Sequence, residues 1–195
     1  MNKKKHDRVL FKADDDWQYN ACVNWASWEV YAGGYKEAAD RLVRSILQNR
    51  MSLDALIYPV VFLYRHWIEL RLKEIISQGS ILLRKPELAP MSHDLQKLWQ
   101  PARIVMTELW PEADVTELAL VDNSIEEFNK VDPTSTVFRY MRDKQQKISL
   151  PDDISHINVR NLAQRMDGLA VYLDGAVSGI DAMFSAMDDI DYYDG

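Results

Sequence analysis

Cysteine is nearly missing from this 195-residue chain: Cys22 is the only one, so neither a disulfide framework nor a thiolate zinc site can form within it. A reducing compartment fits that usage. Glycine and proline are scarce too, at seven each, which leaves few positions for tight turns and argues against an all-β sandwich. No stretch approaches the run of about eighteen uncharged residues that a membrane span needs, and the basic opening Met1–Arg8 has no apolar run behind it. A cytoplasmic location without membrane contact is expected. What the chain does have is apolar and aromatic material. Hydrophobic residues make up 47%, with six Trp, nine Tyr and five Phe, enough for one globular domain with a full core.

Negative charge dominates, with a formal net of −7, but unevenly. Residues 1–100 carry 15 Lys and Arg against 12 Asp and Glu, while 101–195 carry 8 against 18, so the two halves stand at +3 and −10. An acidic total excludes unspecific binding to duplex DNA as the main role and leaves room only for a local basic site.

Residues 1–16 read as a polar arm ending in Asp14-Asp15-Asp16, 17–187 as one helical domain, and 188–195 as an acidic tail. Trp28, Tyr31, Tyr35, Ala38, Leu42 and Ile46 fall at three- and four-residue steps and predict a first helix. Gly33-Gly34 within it mark a place to bend or to admit another backbone. A second helix is predicted from about Leu53 to Ser77, with Gly79 past its end. Its apolar residues point nearly all round, Val61, Ile68, Leu72 and Ile75 on one side and Leu63, Trp67 and Leu70 on others, which makes it the central element. Ser92 is the expected cap of a third helix running from His93 to about Leu109, with Asp94 in its first turn and a kink at Pro101. A fourth helix covers about Asp114 to Lys130 and is closed by Asp132-Pro133, after which 132–156 reads as a short hairpin or a long ordered loop. The last helix carries a gapless seam, Val159, Leu162, Met166, Leu169, Leu173, Ala176, Ile180, Met183 and Met187. A seam that long needs either a groove in its own bundle or a partner helix.

On the central helix, Arg65 and Glu69 are four residues apart and flank the apolar side, so both are expected to be buried and to need a further acid from another helix. They read as structural glue or as a phosphate-binding pair. His66 points about 100° away from Arg65 on a helical wheel, and the sequence gives no reason for it to meet His93. The four histidines are scattered without metal-ligand spacing, so no metal and no cofactor is expected. Arg139 follows the fourth helix and has the reach to return to the Arg65/Glu69 region as a loop-fixing ion pair. Asp167, Asp174, Asp181 and Asp188 recur every seventh residue beside the seam, forming a ridge that serves either solubility or docking of a basic partner.

Three segments carry a family likeness: Tyr31-Ala-Gly-Gly-Tyr-Lys-Glu-Ala-Ala39, Tyr58-Pro-Val-Val-Phe-Leu-Tyr-Arg-His-Trp-Ile-Glu-Leu-Arg-Leu-Lys73 and Ser92-His-Asp-Leu-Gln-Lys-Leu98. With Phe138-Arg139-Tyr140 further on, the pattern resembles the HEPN-like helical domains of prokaryotic toxin–antitoxin and anti-phage systems. The resemblance implies an all-α, HEPN-like up-and-down bundle with a long C-terminal helix, and a homodimer. Active members of that family are metal-independent ribonucleases whose late helix carries Arg, a polar residue, and His a few positions on. Arg160-Asn161 matches the opening of that motif, but Arg165, Met166 and Asp167 stand where the His belongs. Without that imidazole the family's proton transfer lacks its agent, whereas Arg160 retains the capacity to bind phosphate. The expected function is therefore a non-catalytic component of a bacterial defence or toxin–antitoxin type system, binding a cognate protein from the same operon, or a nucleotide or RNA. The alternatives are a ribonuclease with a divergent site drawn from Arg65, His66, His93, Arg139 or Arg160, and an oligomerisation scaffold.

Overall fold

The apolar periodicities fold as five helices: α1 (Trp28–Asn49), α2 (Leu53–Leu82), α3 (Leu95–Leu109), α4 (Val115–Val131) and α5 (Val159–Tyr193), preceded by a three-residue 3-10 turn, Trp17–Tyr19. The computed structural model describes residues 10–23, 27–49, 52–86, 92–113 and 115–193, without the side chains of 115–117 and 188–193. Most of the expected 1–16 arm and the side chains of the 188–195 tail, Asp188 included, lie outside the described residues. No strand occurs among those described. Residues 132–158 form the long ordered connection, marked by one isolated antiparallel bridge between Arg142 and Ile148.

Helix α2 is the axis of an all-α bundle. Val60, Tyr64, Trp67, Ile68, Leu72, Ile75 and Ile76 are fully buried on several of its faces, because α1, α3 and α5 all pack against it. It runs five residues past its expected end at Ser77, through Gly79 rather than stopping before it. The glycine is needed for proximity: a Cβ at Gly79 would run into the Val105 side chain of α3. Gly179 of α5 similarly admits the Trp110 ring, whose Cζ2 would lie 2.6 Å from an added Cβ.

The order of contacts fixes the directions of the helices. Arg65 meets the His93 carbonyl, Gly79 meets Val105, and Lys85 pairs with Glu108, so α3 runs alongside α2 in the same sense. Strict up-and-down alternation is broken at that step. Helix α4 then turns back, with Asp122 reached by Trp99 and Arg103, and returns Asp132 to Arg65. Asp94, not Ser92, caps α3: its Oδ1 accepts from the Gln96 and Lys97 amides at 3.0 and 3.2 Å, while Ser92 Oγ accepts from the Asp94 amide. The helix continues through Pro101.

Two apolar patterns resolve differently from the sequence reading. On α1 the buried positions are Ala32, Ala39, Val43 and Ile46, so the core face is rotated from the expected stripe and Tyr31 stays exposed. Neither Gly33 nor Gly34 has an atom within 4 Å of an added Cβ, so no backbone approaches there. On α5 the seam residues Val159, Met166, Leu169, Leu173, Ala176 and Ile180 are buried within the chain's own bundle. A partner helix is not required over that length. The span Val159–Met187 is long and apolar enough to cross a membrane by length and composition, with a mean hydropathy of 1.2 in its most apolar window. Its apolar side is the one packed on the core.

Candidate functional site

The mid-section of α2 gathers charged groups from three parts of the chain. Arg65 is wholly buried, as the amphipathic pattern predicts, and its fork is met from both sides. Nε donates to the Asp132 carbonyl at 2.9 Å and Nη2 to the His93 carbonyl at 2.7 Å. Two carboxylates balance the charge: Glu69 Oε2 lies 3.5 Å from Nη1, and Asp132 Oδ2 lies 3.7 Å from Nε. Asp132 is thus the acid from a second element that Arg65 was expected to need. Its Oδ1 also accepts from the amides of Thr136 and Val137, closing the turn that begins the 132–140 segment. Burial lowers the Arg65 pKa, against the raising effect of Asp132 and Glu69.

Glu69 is as buried as Arg65 but faces outward with its other oxygen. Oε1 accepts from Lys73 Nζ at 2.7 Å and lies 2.8 Å from His93 Nδ1, where the ring donates in its Nδ1–H form. Burial pushes the Glu69 carboxyl up, but the bonds and charges of Lys73 and His93 outweigh it and hold the carboxyl below its ordinary value. Glu69 is therefore a fixed anion. It orients two donors at the surface, and the His93 side chain is 70% exposed. With Nδ1 engaged by a carboxylate, Nε2 is the ring nitrogen left for a ligand.

His66 joins this patch after all. The helical wheel separates it from Arg65, yet its charge is felt by Glu69, Lys73, His93 and Arg65. Its ring packs edge-on against Tyr35 at 4.4 Å and stacks on Phe62 at 5.9 Å between centroids. Burial is the main reason its pKa is lowered. Arg139 reaches α2 one turn earlier than the Glu69 level: its guanidinium lies 5.5 Å from the Phe62 ring and 5.2 Å from that of Tyr140, and it forms no ion pair with Glu69. A cation–π contact takes the place of the expected salt bridge. Arg160 is not part of the cluster; it is exposed on α5 and has no hydrogen bond or ion pair among the described residues.

The acidic ridge is largely spent within the chain. Asp167 meets Lys36 at 3.3 Å, and Lys36 also binds Asp40, which in turn accepts from the buried Tyr64 hydroxyl at 2.8 Å. Asp174 Oδ1 lies 2.7 Å from Arg71 Nε, off the hydrogen-bond axis, while Arg71 Nη1 donates to Glu74 at 2.6 Å. These contacts fasten α5 to α1 and α2. Only Asp181 of the three is exposed without an ion pair among the described residues, and its charge adds to the burial that raises the Glu74 pKa.

Lys73 and Asp132 are the members that sequence reading passed over as site residues. Lys73 stands four residues after Glu69 and was legible as an i,i+4 partner. The two carbonyls that hold Arg65 carry no side-chain signature at all. Among the described residues no group of three His, Cys, Asp or Glu side chains is placed to hold a metal ion. The arrangement can present two oriented donors, the His93 ring and the Lys73 ammonium, beside an Arg139–Phe62–His66–Tyr35 stack. No protein-family model, curated protein or solved structure matches this chain.

Proposed function

We propose that the chain is a HEPN-like helical domain acting as a binding component of a bacterial defence or toxin–antitoxin type system, and that it holds the phosphate of a nucleotide or RNA end at the Lys73/His93 surface. The observation that supports this reading is the buried Glu69 carboxylate, which accepts from Lys73 and faces His93 through one oxygen. A buried acid used in this way fixes donors in place before a ligand arrives, and fixed donors are what phosphate recognition needs. Arg139, exposed and stacked on Phe62, adds a cation with a flat face beside them.

A second reading, the metal-independent ribonuclease, gains one specific support: His93 is backed by a carboxylate and has Nε2 free, the arrangement of a general base. Cleavage of RNA also needs an acid for the leaving oxygen, and the nearest second imidazole, His66, is packed between Tyr35 and Phe62 with a lowered pKa. Binding without turnover is the better match. The experiment is fluorescence anisotropy with a 5′-phosphorylated oligoribonucleotide in EDTA, followed by gel analysis of the same samples. The expected result is saturable binding, weakened about tenfold or more in Lys73→Ala and His93→Ala, with the RNA intact. Cleavage lost in His93→Ala would establish the second reading, and binding unchanged in both variants would remove the site.

A further inference from the structure

We infer that the chain self-associates by seating the aromatic turn Asp14–Asn20 of one copy in a groove on α1 of a second copy. The turn is closed by reciprocal hydrogen bonds: the Asp14 amide donates to Asn20 Oδ1 at 3.0 Å, and Asn20 Nδ2 donates to the Asp14 carbonyl at 2.7 Å. Between them the backbone makes the Trp17–Tyr19 3-10 turn, with the Asn20 amide bonded to the Trp17 carbonyl. A segment so tied displays its side chains in a set arrangement. What it displays is Trp17 and Tyr19, each 80% exposed, flanked by Phe11 and Val23 in the same condition.

The complementary surface is the outer side of α1. Val30, Tyr31, Gly34, Tyr35 and Ala38, with Leu63 from α2, line an apolar groove of about 380 Å³. This is much of the stripe that the sequence placed in the core and the fold leaves outside. Gly34 keeps the floor open, since nothing lies within 4 Å of where its Cβ would be. In its own chain the segment reaches the groove only at Cys22 and Val23, which form part of the lining, so both aromatics remain in solvent while the groove stays uncovered.

A second copy satisfies both halves at once. Related by a two-fold axis, each copy gives one turn and receives one, which is the self-complementary arrangement of an isologous dimer. An aromatic side chain buries about 150–250 Å². Two arms and two grooves together then remove roughly 1,500 Å² from water, within the range of a stable interface. Charge agrees with this placement: the turn carries Asp14, Asp15 and Asp16, and Arg41 stands exposed one turn beyond Ala38 along the groove.

The test is sedimentation equilibrium of the full chain over a concentration series, with maleimide labelling of Cys22, the only cysteine, as a second readout. The parent is expected to dimerise and to protect Cys22 as it does so. Trp17→Ala/Tyr19→Ala and Gly34→Leu should each weaken self-association by about 30-fold or more. Both sites are exposed, so the variants should keep the parent's circular dichroism. Mixing the two variants restores heterodimers, because one intact turn then meets one intact groove. A parent that is monomeric throughout, or variants that dimerise as tightly as the parent, would overturn the inference.

Discussion

A buried guanidinium costs several kcal/mol unless every side of its fork is met, and Arg65 meets two carbonyls and two carboxylates drawn from α2, the chain before α3 and the chain after α4. Removing it strands Glu69 and Asp132 together. Arg65→Ala is expected to cost about 3–5 kcal/mol in urea unfolding. A double-mutant cycle with Glu69→Gln should show coupling, and additive losses would mean that the two groups do not act as a pair. His66 gives a different signature because its pKa is lowered, chiefly by burial. Between the folded and the unfolded pKa the unfolded chain binds the proton and the folded one does not, so stability rises with pH through that window. The contribution is full above the ordinary histidine value of about 6.5 and is lost as pH falls towards the folded pKa. Urea midpoints measured from pH 5 to 8 should show this slope in the parent and a flatter profile in His66→Gln. An equal slope in both would place the titration elsewhere.

At the scale of the helix, two kinds of glycine predict opposite outcomes for the same substitution. Gly79→Ala drives a methyl into Val105, a β-branched side chain with little freedom to swing away, so a loss of about 1–3 kcal/mol is expected despite the better helix propensity. Gly33→Ala and Gly34→Ala meet nothing and should gain about 0.5–1 kcal/mol each. Thermal melts of the three variants decide this, and a stabilised Gly79→Ala would refute the close packing of α2 on α3. The same contrast shows what sequence can reveal. The α5 seam was legible because one face buries every third or fourth residue for six turns or more, and α2 because apolar residues on all sides leave no alternative to a central position. Helix α1 misled because it has two apolar sides, and periodicity alone cannot say which the core takes. Gly79 misled because a glycine near a helix end reads as a stop signal, whereas here its meaning lies in a neighbour remote in sequence. In the site, Arg65 and Glu69 follow from their spacing on α2. His93 was invisible as their partner, because only the parallel run of α3 beside α2 brings it to Glu69.

Over the whole molecule, the bundle's topology and its site are one fact. By running α3 alongside α2 and returning α4 against it, the chain delivers the His93 carbonyl, the His93 ring and Asp132 to the same level of the central helix. Family motif and observed cluster also separate at this scale: Arg160 stands exposed on α5, while the oriented donors belong to α2 and the start of α3. The claim that most needs testing is that these donors, and not Arg160, receive a phosphate. The direct measurement is NMR with ¹⁵N-labelled histidine, lysine and arginine side chains, titrated with a 5′-phosphorylated nucleotide in the absence of metal. Saturable shifts at His93 Nε2 and Lys73 Nζ, with Arg160 unmoved, are the predicted result. Shifts at Arg160 with His93 and Lys73 silent would contradict it.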